Sequence, residues 1–193
     1  MPMDIPLHQP KPHLPGELGV WVFILGDMVI FGLLFGTFLF YRADDPALYQ
    51  RSQATLNQNF GAINTIVLLS SSWLVAKAVQ CARQGARRQV SRLLAAAWLC
   101  GLVFAVVKVL EYSEKISHGI TLVTNDFYMY YFVLTGLHFV HLLLGMGVLG
   151  YLWIRSRHTP AAGDLSVLES GASFWHLVDL LWIVLFPLIY LIQ

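Results

Sequence analysis

The chain has 193 residues, of which 57% are hydrophobic and only 12% are charged, and its mean hydropathy is +0.64. Soluble domains carry about 25% charged residues, so this composition excludes a water-facing globular surface and indicates an integral membrane protein. The formal net charge of +1 excludes nucleic acid as a partner on electrostatic grounds. Cys81 and Cys100 share no metal-ligand spacing and are interpreted as small apolar side chains.

Prolines concentrate in residues 1–16, which are therefore predicted to form an extended, solvated cytoplasmic tail with no secretory-signal pattern. A first membrane span is predicted over residues 18–41, long enough to cross a bilayer core of roughly 30 Å. Asp27 falls near its midplane, where a carboxylate needs a partner or a function. Gly32 and Gly36 form a small-xxx-small pair that predicts close helix packing.

Four further apolar segments predict spans two to five, joined by polar loops. With the first, they predict an all-α polytopic bundle of five transmembrane helices over residues 17–193, without a separate domain. The second span carries Asn64 and a run of serines, interpreted as helix-packing groups. The third ends with Lys108 and Glu111, which can pair with each other while Lys108 reaches the interface. The predicted spans are 60–81, 93–112, 128–154 and 173–191.

The last two spans carry imidazoles inside apolar sequence. His138, His141 and Gly145 follow at i, i+3 and i+7, which places them on one face of the fourth span. His176 and Asp179 lie three residues apart on the fifth span, with the histidine near its predicted cytoplasmic start. They are expected to fix this span against its neighbours. Three tyrosines are expected to form an aromatic belt where the fourth span enters the bilayer: Tyr128, Tyr130 and Tyr131.

The distribution of lysine and arginine predicts the orientation. Five basic residues and no acidic ones lie between Lys77 and Arg92, which indicates a cytoplasmic loop. Together with the tail and the loop after the fourth span, that side holds eight of the twelve basic residues. We therefore expect a cytoplasmic N-terminus and a C-terminus outside.

Three functional classes fit these buried polar groups. Two histidines on one helix could bind haem or a metal, but a further ligand from another helix is needed. A proton or ion relay through Asp27, His138, His141 and Asp179 would make an independent transporter, although no inverted repeat is visible. The third class is a helix bundle that is cross-linked by buried polar groups and binds another membrane subunit and lipid.

Several segments together resemble the subunit III family of haem-copper oxidases, over about residues 18–190. The short form and the segment Pro15–Asp27 are similar to the NorE branch, which is associated with nitric oxide reductase in denitrifying bacteria. The segments that carry the resemblance are Asn64-Thr65 with Leu68-Leu69, Glu111-Tyr112, Thr135-Gly136-Leu137-His138 with His141 and Gly145, and Glu169 ahead of Trp175-His176-Leu177-Val178-Asp179-Leu180-Leu181-Trp182.

The resemblance implies a non-catalytic subunit of the bacterial inner membrane that stabilises the catalytic subunit and supports proton uptake. It implies no bound haem, copper or other metal and no soluble substrate, and it allows bound phospholipid. The partner would be the catalytic subunit of a nitric oxide reductase or, alternatively, of an aerobic cytochrome c or quinol oxidase. Two departures stand out: the first two helices of the long form are missing, and Asp27 stands where the family usually has Glu.

Overall fold

The computed structural model describes residues 18–158 and 165–192, so the predicted tail at 1–16 lies outside the described residues. Within these ranges the regular structure is helical and contains no strand. Five helices are long and apolar enough to cross a membrane. The predicted all-α architecture with five spans is therefore confirmed. In chain order the elements are α1 (Leu18–Asp44), α2 (Pro46–Gln53), α3 (Gln58–Arg83), α4 (Arg87–Ser117), α5 (Asp126–His158) and α6 (Leu165–Phe186), which continues as a π turn (Pro187–Leu191).

The helices extend beyond the predicted spans because their polar ends remain helical. α4 ends only at Ser117, just before Gly119, whose φ of +75° suits a residue without a side chain. Gly85 follows the end of α3 in the same left-handed conformation, with φ of +76°. Lys115, predicted to lie in a loop, is instead buried in α4, where it donates to the Thr55 carbonyl at 2.6 Å.

The segment after α1 was predicted to be a polar loop, and that prediction is wrong. The Asp45 carboxylate accepts a hydrogen bond from Leu48 N at 3.1 Å, and Pro46 occupies the first turn, where its missing N–H costs nothing. Tyr49 then packs edge-on against Phe38 of α1. Burial raises the pKa of the Tyr49 hydroxyl to about 12, so the side chain is neutral at physiological pH.

α6 is the most enclosed of the five long helices and packs against α3, α5 and α1, whereas α1 is the least enclosed. Glycines allow two of these close approaches. A Cβ at Gly145 would lie 2.8 Å from the Trp175 ring, and one at Gly61 would lie 2.5 Å from the Phe186 ring. The predicted close packing at Gly32 and Gly36 does not occur among residues 18–158 and 165–192, where nothing lies within 4 Å of a Cβ built at either position.

The predicted aromatic belt at the start of the fourth span is also wrong. Tyr131 has no exposed surface, and Tyr128 and Tyr130 are buried. Tyr128 shares a hydrogen bond with Thr55 at 2.7 Å, and Tyr130 packs edge-on against Phe38. These rings therefore pack against other elements of the bundle instead of forming an exposed belt.

Candidate functional site

Asp27 of α1 meets His141 of α5 inside the bundle. The carboxylate oxygen Oδ1 lies 3.0 Å from Nε2 of the imidazole, and both side chains are less than a tenth exposed. Phe31, one turn further along α1, covers the ring edge-on. α1 is the least enclosed of the long helices. The contact between Asp27 and His141 is therefore one of the main polar contacts that hold α1 against the bundle.

The hydrogen bonds of His141 define where a proton can sit in this pair. Nδ1 lies 2.8 Å from the Leu137 carbonyl, which only accepts, so Nδ1 carries a hydrogen. A neutral imidazole then accepts at Nε2, and Asp27 must be protonated to donate to it. If Asp27 is ionised instead, the imidazole must be doubly protonated. In either state a single proton lies between Oδ1 and Nε2, and the pair is neutral overall.

His138 lies one turn away but serves a different contact. Its Nε2 donates to the Val178 carbonyl of α6 at 3.1 Å, and its ring packs between Phe104 and Trp182. Nδ1 has no hydrogen-bond partner among the described residues. The two histidines of α5 thus hold different helices, α6 and α1. They do not converge on one centre.

A second polar cluster surrounds Lys108 and Glu111 of α4, each with a side chain only 1% exposed. Nζ of Lys108 donates to Glu111 at 2.9 Å and to the Tyr190 hydroxyl at 2.8 Å. Tyr190 and Tyr131 both donate to the other carboxylate oxygen. The predicted pairing of the two charges is present. The predicted reach of Lys108 to the interface is wrong, because its ammonium group ends inside the cluster.

Aromatic rings complete the surroundings of the buried ammonium group. Nζ of Lys108 lies 4.9–5.5 Å from the centroids of four rings: Tyr112, Tyr131, Trp182 and Tyr190. Such cation–π contacts contribute about 2 kcal/mol when they are desolvated. Sequence reasoning missed Tyr131 and Tyr190 as members of this site, and neither has a spacing to Lys108 that could have revealed it.

His176 and Asp179 lie further from the start of their helix than predicted, because α6 begins at Leu165 and not at residue 173. Nδ1 of His176 contacts Ser72 Oγ at 2.7 Å, which joins α6 to α3. Asp179 Oδ2 is 3.9 Å from the same nitrogen, and neither of its oxygens has a direct hydrogen-bond partner among the described residues. The contact between helices is therefore made by His176.

Asn64 was predicted to belong to the polar network, yet neither atom of its amide group has a partner among the described residues, although the side chain is fully buried. The hydroxyls of α3 make the contacts instead. Trp175 donates to Ser71 Oγ at 3.1 Å, and Trp182 donates to Thr65 Oγ1 at 3.0 Å. The predicted packing role of the polar stripe on the second span thus belongs to Ser71, Ser72 and Thr65.

Comparison with known proteins gives the family. Residues 13–193 match the family described as cytochrome c oxidase subunit III. The chain belongs to the cytochrome c oxidase subunit III family. It is 33% identical to cytochrome c oxidase subunit 3 of Synechocystis sp. over 90% of this chain and 74% of the relative. It is 30% identical to the Corynebacterium diphtheriae protein of the same name, over 92% and 88%.

A third relative of this subunit III homologue is a fused protein, the haem-copper oxidase subunit I+III of Aeropyrum pernix. The two are 28% identical over 96% of this chain and 24% of the much longer relative. The resemblance inferred from the sequence segments is confirmed at the level of the family. The length of the chain does not select a branch, because the Corynebacterium relative is covered over 88% of its length by 182 aligned residues and is therefore also short.

Among the described residues of this subunit III homologue, no group of three or more His, Cys, Asp or Glu side chains could hold a metal ion. The polar groups inside the bundle instead bind other helices of the same chain. The arrangement can join helices and, at Asp27 and His141, hold one proton between two bases.

Proposed function

We propose that this chain is a non-catalytic subunit of a haem-copper oxidoreductase in a bacterial inner membrane. It would hold no haem or copper itself and would stabilise the catalytic subunit, a protein related to subunit I. Family membership over residues 13–193 supports this proposal, as does the fused subunit I+III relative, in which both parts share one chain.

The observation that carries a role in proton uptake is the buried pair of Asp27 and His141. Movement of the shared proton between Oδ1 and Nε2 leaves the pair neutral overall, so a proton can be held there without a net charge in the membrane interior. We propose that this pair supports proton delivery to the catalytic subunit during turnover. Glu, the usual family residue, would bring its carboxylate one methylene further towards the imidazole.

The finer proposal places the chain in the NorE branch, with nitric oxide reductase as its partner. Its support is the resemblance of the segment Pro15–Asp27. An aerobic cytochrome c or quinol oxidase is the alternative, and it is favoured by the names of the relatives described above.

Phospholipid is the non-protein ligand that we propose. An apolar groove between α4, α5 and α6, bordered by Arg87 and Arg155, offers a place for it.

Affinity purification of the full chain from native membranes in a mild detergent tests both the proposed role as an accessory subunit and the assignment to a branch. We expect a haem protein to co-purify, and its haem types and its consumption of nitric oxide or oxygen will identify the branch. The free chain is expected to show no Soret band. A Soret band in the chain alone, or recovery without any haem protein, would overturn the proposed function.

A further inference from the structure

His176 places an imidazole on the outer surface of the bundle, near the middle of the last candidate membrane span. It lies near the middle of a 27-residue span, about 17 Å from its start at about 1.5 Å per residue. Its side chain is 40% exposed, whereas that of Asp179 beside it is only 4% exposed. Hydrocarbon offers no hydrogen bonds, so a polar group at this depth normally faces the interior or a protein partner.

The contacts within the chain occupy only one side of this imidazole. Nδ1 bonds to Ser72 Oγ at 2.7 Å, and Nε2 has no hydrogen-bond partner among the described residues. Asp179, three residues further along α6, is buried, and its Oδ2 lies 3.9 Å from Nδ1 of the same ring. An unsatisfied polar group in hydrocarbon costs several kcal/mol, so the arrangement favours a partner outside this chain.

The surroundings of His176 have the form of a helix-binding surface. Along α3, Ile66, Leu69 and Trp73 follow at i, i+3 and i+7, and all three are exposed. Along α6, Leu180 and Ile183 follow His176 at i+4 and i+7, and both are exposed. These six residues form two adjacent stripes, which we call the α3–α6 face. Its apolar flanks and polar centre match the way in which transmembrane helices associate.

We propose that the α3–α6 face binds a transmembrane helix of the catalytic subunit, and that this helix places a hydroxyl, amide or carboxyl group against Nε2 of His176. The inference rests on the proposed function, which supplies the partner. A second copy of this chain fits less well. A two-fold axis along the membrane normal would place the two copies of Lys77, which lies over the Trp73 ring at 5.8 Å, at the same depth of one interface, where their like charges repel.

Photo-crosslinking in native membranes tests the location of this surface. A benzophenone amino acid replaces Trp73 on the α3–α6 face or, as the control, Leu143, an equally apolar and exposed position near the middle of α5. We expect the Trp73 position to capture the catalytic subunit and the Leu143 position not to do so. Capture of the catalytic subunit from Leu143 instead, or of only lipid or a second copy from Trp73, overturns the inference.

Substitution of His176 tests the polar contact. His176→Leu should lower the amount of catalytic subunit that co-purifies at least severalfold, and His176→Gln should restore it, because an amide can bond where Leu cannot. A merely structural role would lower the thermal midpoint of the isolated chain equally in both variants. If His176→Leu retains the catalytic subunit as the wild type does, the inference fails while the proposed function stands. If the wild type retains no haem protein, the proposed function fails first.

Discussion

At the scale of residues, the pair of Asp27 and His141 differs from the other polar contacts of the bundle. The contacts of His138 and of the two indoles are made with carbonyl or hydroxyl groups, which keep their protons in fixed places. Asp27 and His141 are both bases that can gain a proton, and they share one over 3.0 Å. Among the contacts of the described residues, this one alone joins a carboxylate and an imidazole from different helices at hydrogen-bond distance.

Asp27→Asn removes the exchangeable proton of this pair but keeps its hydrogen-bond geometry. An Asn amide can still donate to Nε2 of His141, so we expect a folded chain with nearly unchanged thermal stability. It cannot release or take up a proton, so the associated oxidoreductase should lose activity severalfold sooner during turnover. The measurement is the activity of the purified complex followed over time. Glu169→Gln, which neutralises the carboxylate paired with Arg83, is the matched control and should behave as the wild type.

Asp27→Ala provides the structural counterpart. It leaves Nε2 of His141 buried without a partner, which should lower stability by about 1–3 kcal/mol. If only the Ala variant loses stability, and the complex with the Asn variant stays active during turnover as long as the wild type does, the pair only joins helices and has no role in proton uptake.

Lys108 is the second residue whose environment leads to a prediction. Lys108→Met leaves the Glu111 carboxylate buried without its counter-charge and should lower the free energy of unfolding by about 3–5 kcal/mol. The double variant Lys108→Met with Glu111→Gln removes both charges and should regain most of the loss. Thermal unfolding of the isolated chain in detergent measures both.

Lys77→Met is the control for this prediction, because Lys77 lies exposed over Trp73 and should change stability by less than about 0.5 kcal/mol. A double variant that is no more stable than Lys108→Met alone would show that the two charges do not depend on each other.

At the scale of elements, the five long helices could be predicted from hydropathy, since each needs only an apolar run of sufficient length. α2 could not, because it is short and polar, and its helix depends on the Asp45 cap and on the packing of Tyr49 against Phe38. Helix ends were misplaced for a related reason. Charged residues near the ends find partners inside the bundle, as Lys115 does at the Thr55 carbonyl.

The candidate site was predictable in part. Asp27, His141 and His176 stood out because titratable groups in apolar helices need partners. Which helix supplies each partner depends on how the helices rotate against one another, and no spacing within one helix contains that information. For the same reason the glycine pattern at Gly32 and Gly36 was no guide to the packing within this chain, whereas Gly145 lies against the Trp175 ring.

The glycines give a matched prediction for helix packing. Gly145→Ala places a methyl group 2.8 Å from a rigid indole and should destabilise the isolated chain by about 1–3 kcal/mol. Gly32→Ala meets nothing within 4 Å and should leave stability unchanged or raise it by up to about 1 kcal/mol, because Ala favours the helix. Chemical or thermal unfolding in detergent checks both. Equal effects at the two positions would contradict the described packing of α5 against α6.

At the scale of the whole molecule, burial lowers the number of exposed basic residues on the side predicted to face outward. The difference in exposed positive charge on which the predicted orientation rests is therefore larger than the sequence count indicates. Two of the four basic residues assigned to the outer side, Lys108 and Lys115, are buried within the bundle. The arginines at the adjoining ends of α3 and α4 are exposed: Arg83, Arg87, Arg88 and Arg92. The orientation itself stays a prediction.

Cysteine labelling tests this orientation. In a chain with Cys81 and Cys100 replaced by Ala, single cysteines are placed at two exposed loop positions, Thr121 and Gln84. A membrane-impermeant maleimide should label Thr121→Cys in intact cells, and it should label Gln84→Cys only after the membrane has been permeabilised. The opposite pattern would invert the predicted topology.

The central claim is that the polar contacts within this bundle brace a redox-active neighbour and keep its proton supply intact. The most direct test compares the catalytic subunit purified with and without this chain, at equal haem content, by following substrate reduction over many turnovers. We expect similar initial rates, with sustained activity only when the chain is present. Identical time courses for the two preparations would contradict the account.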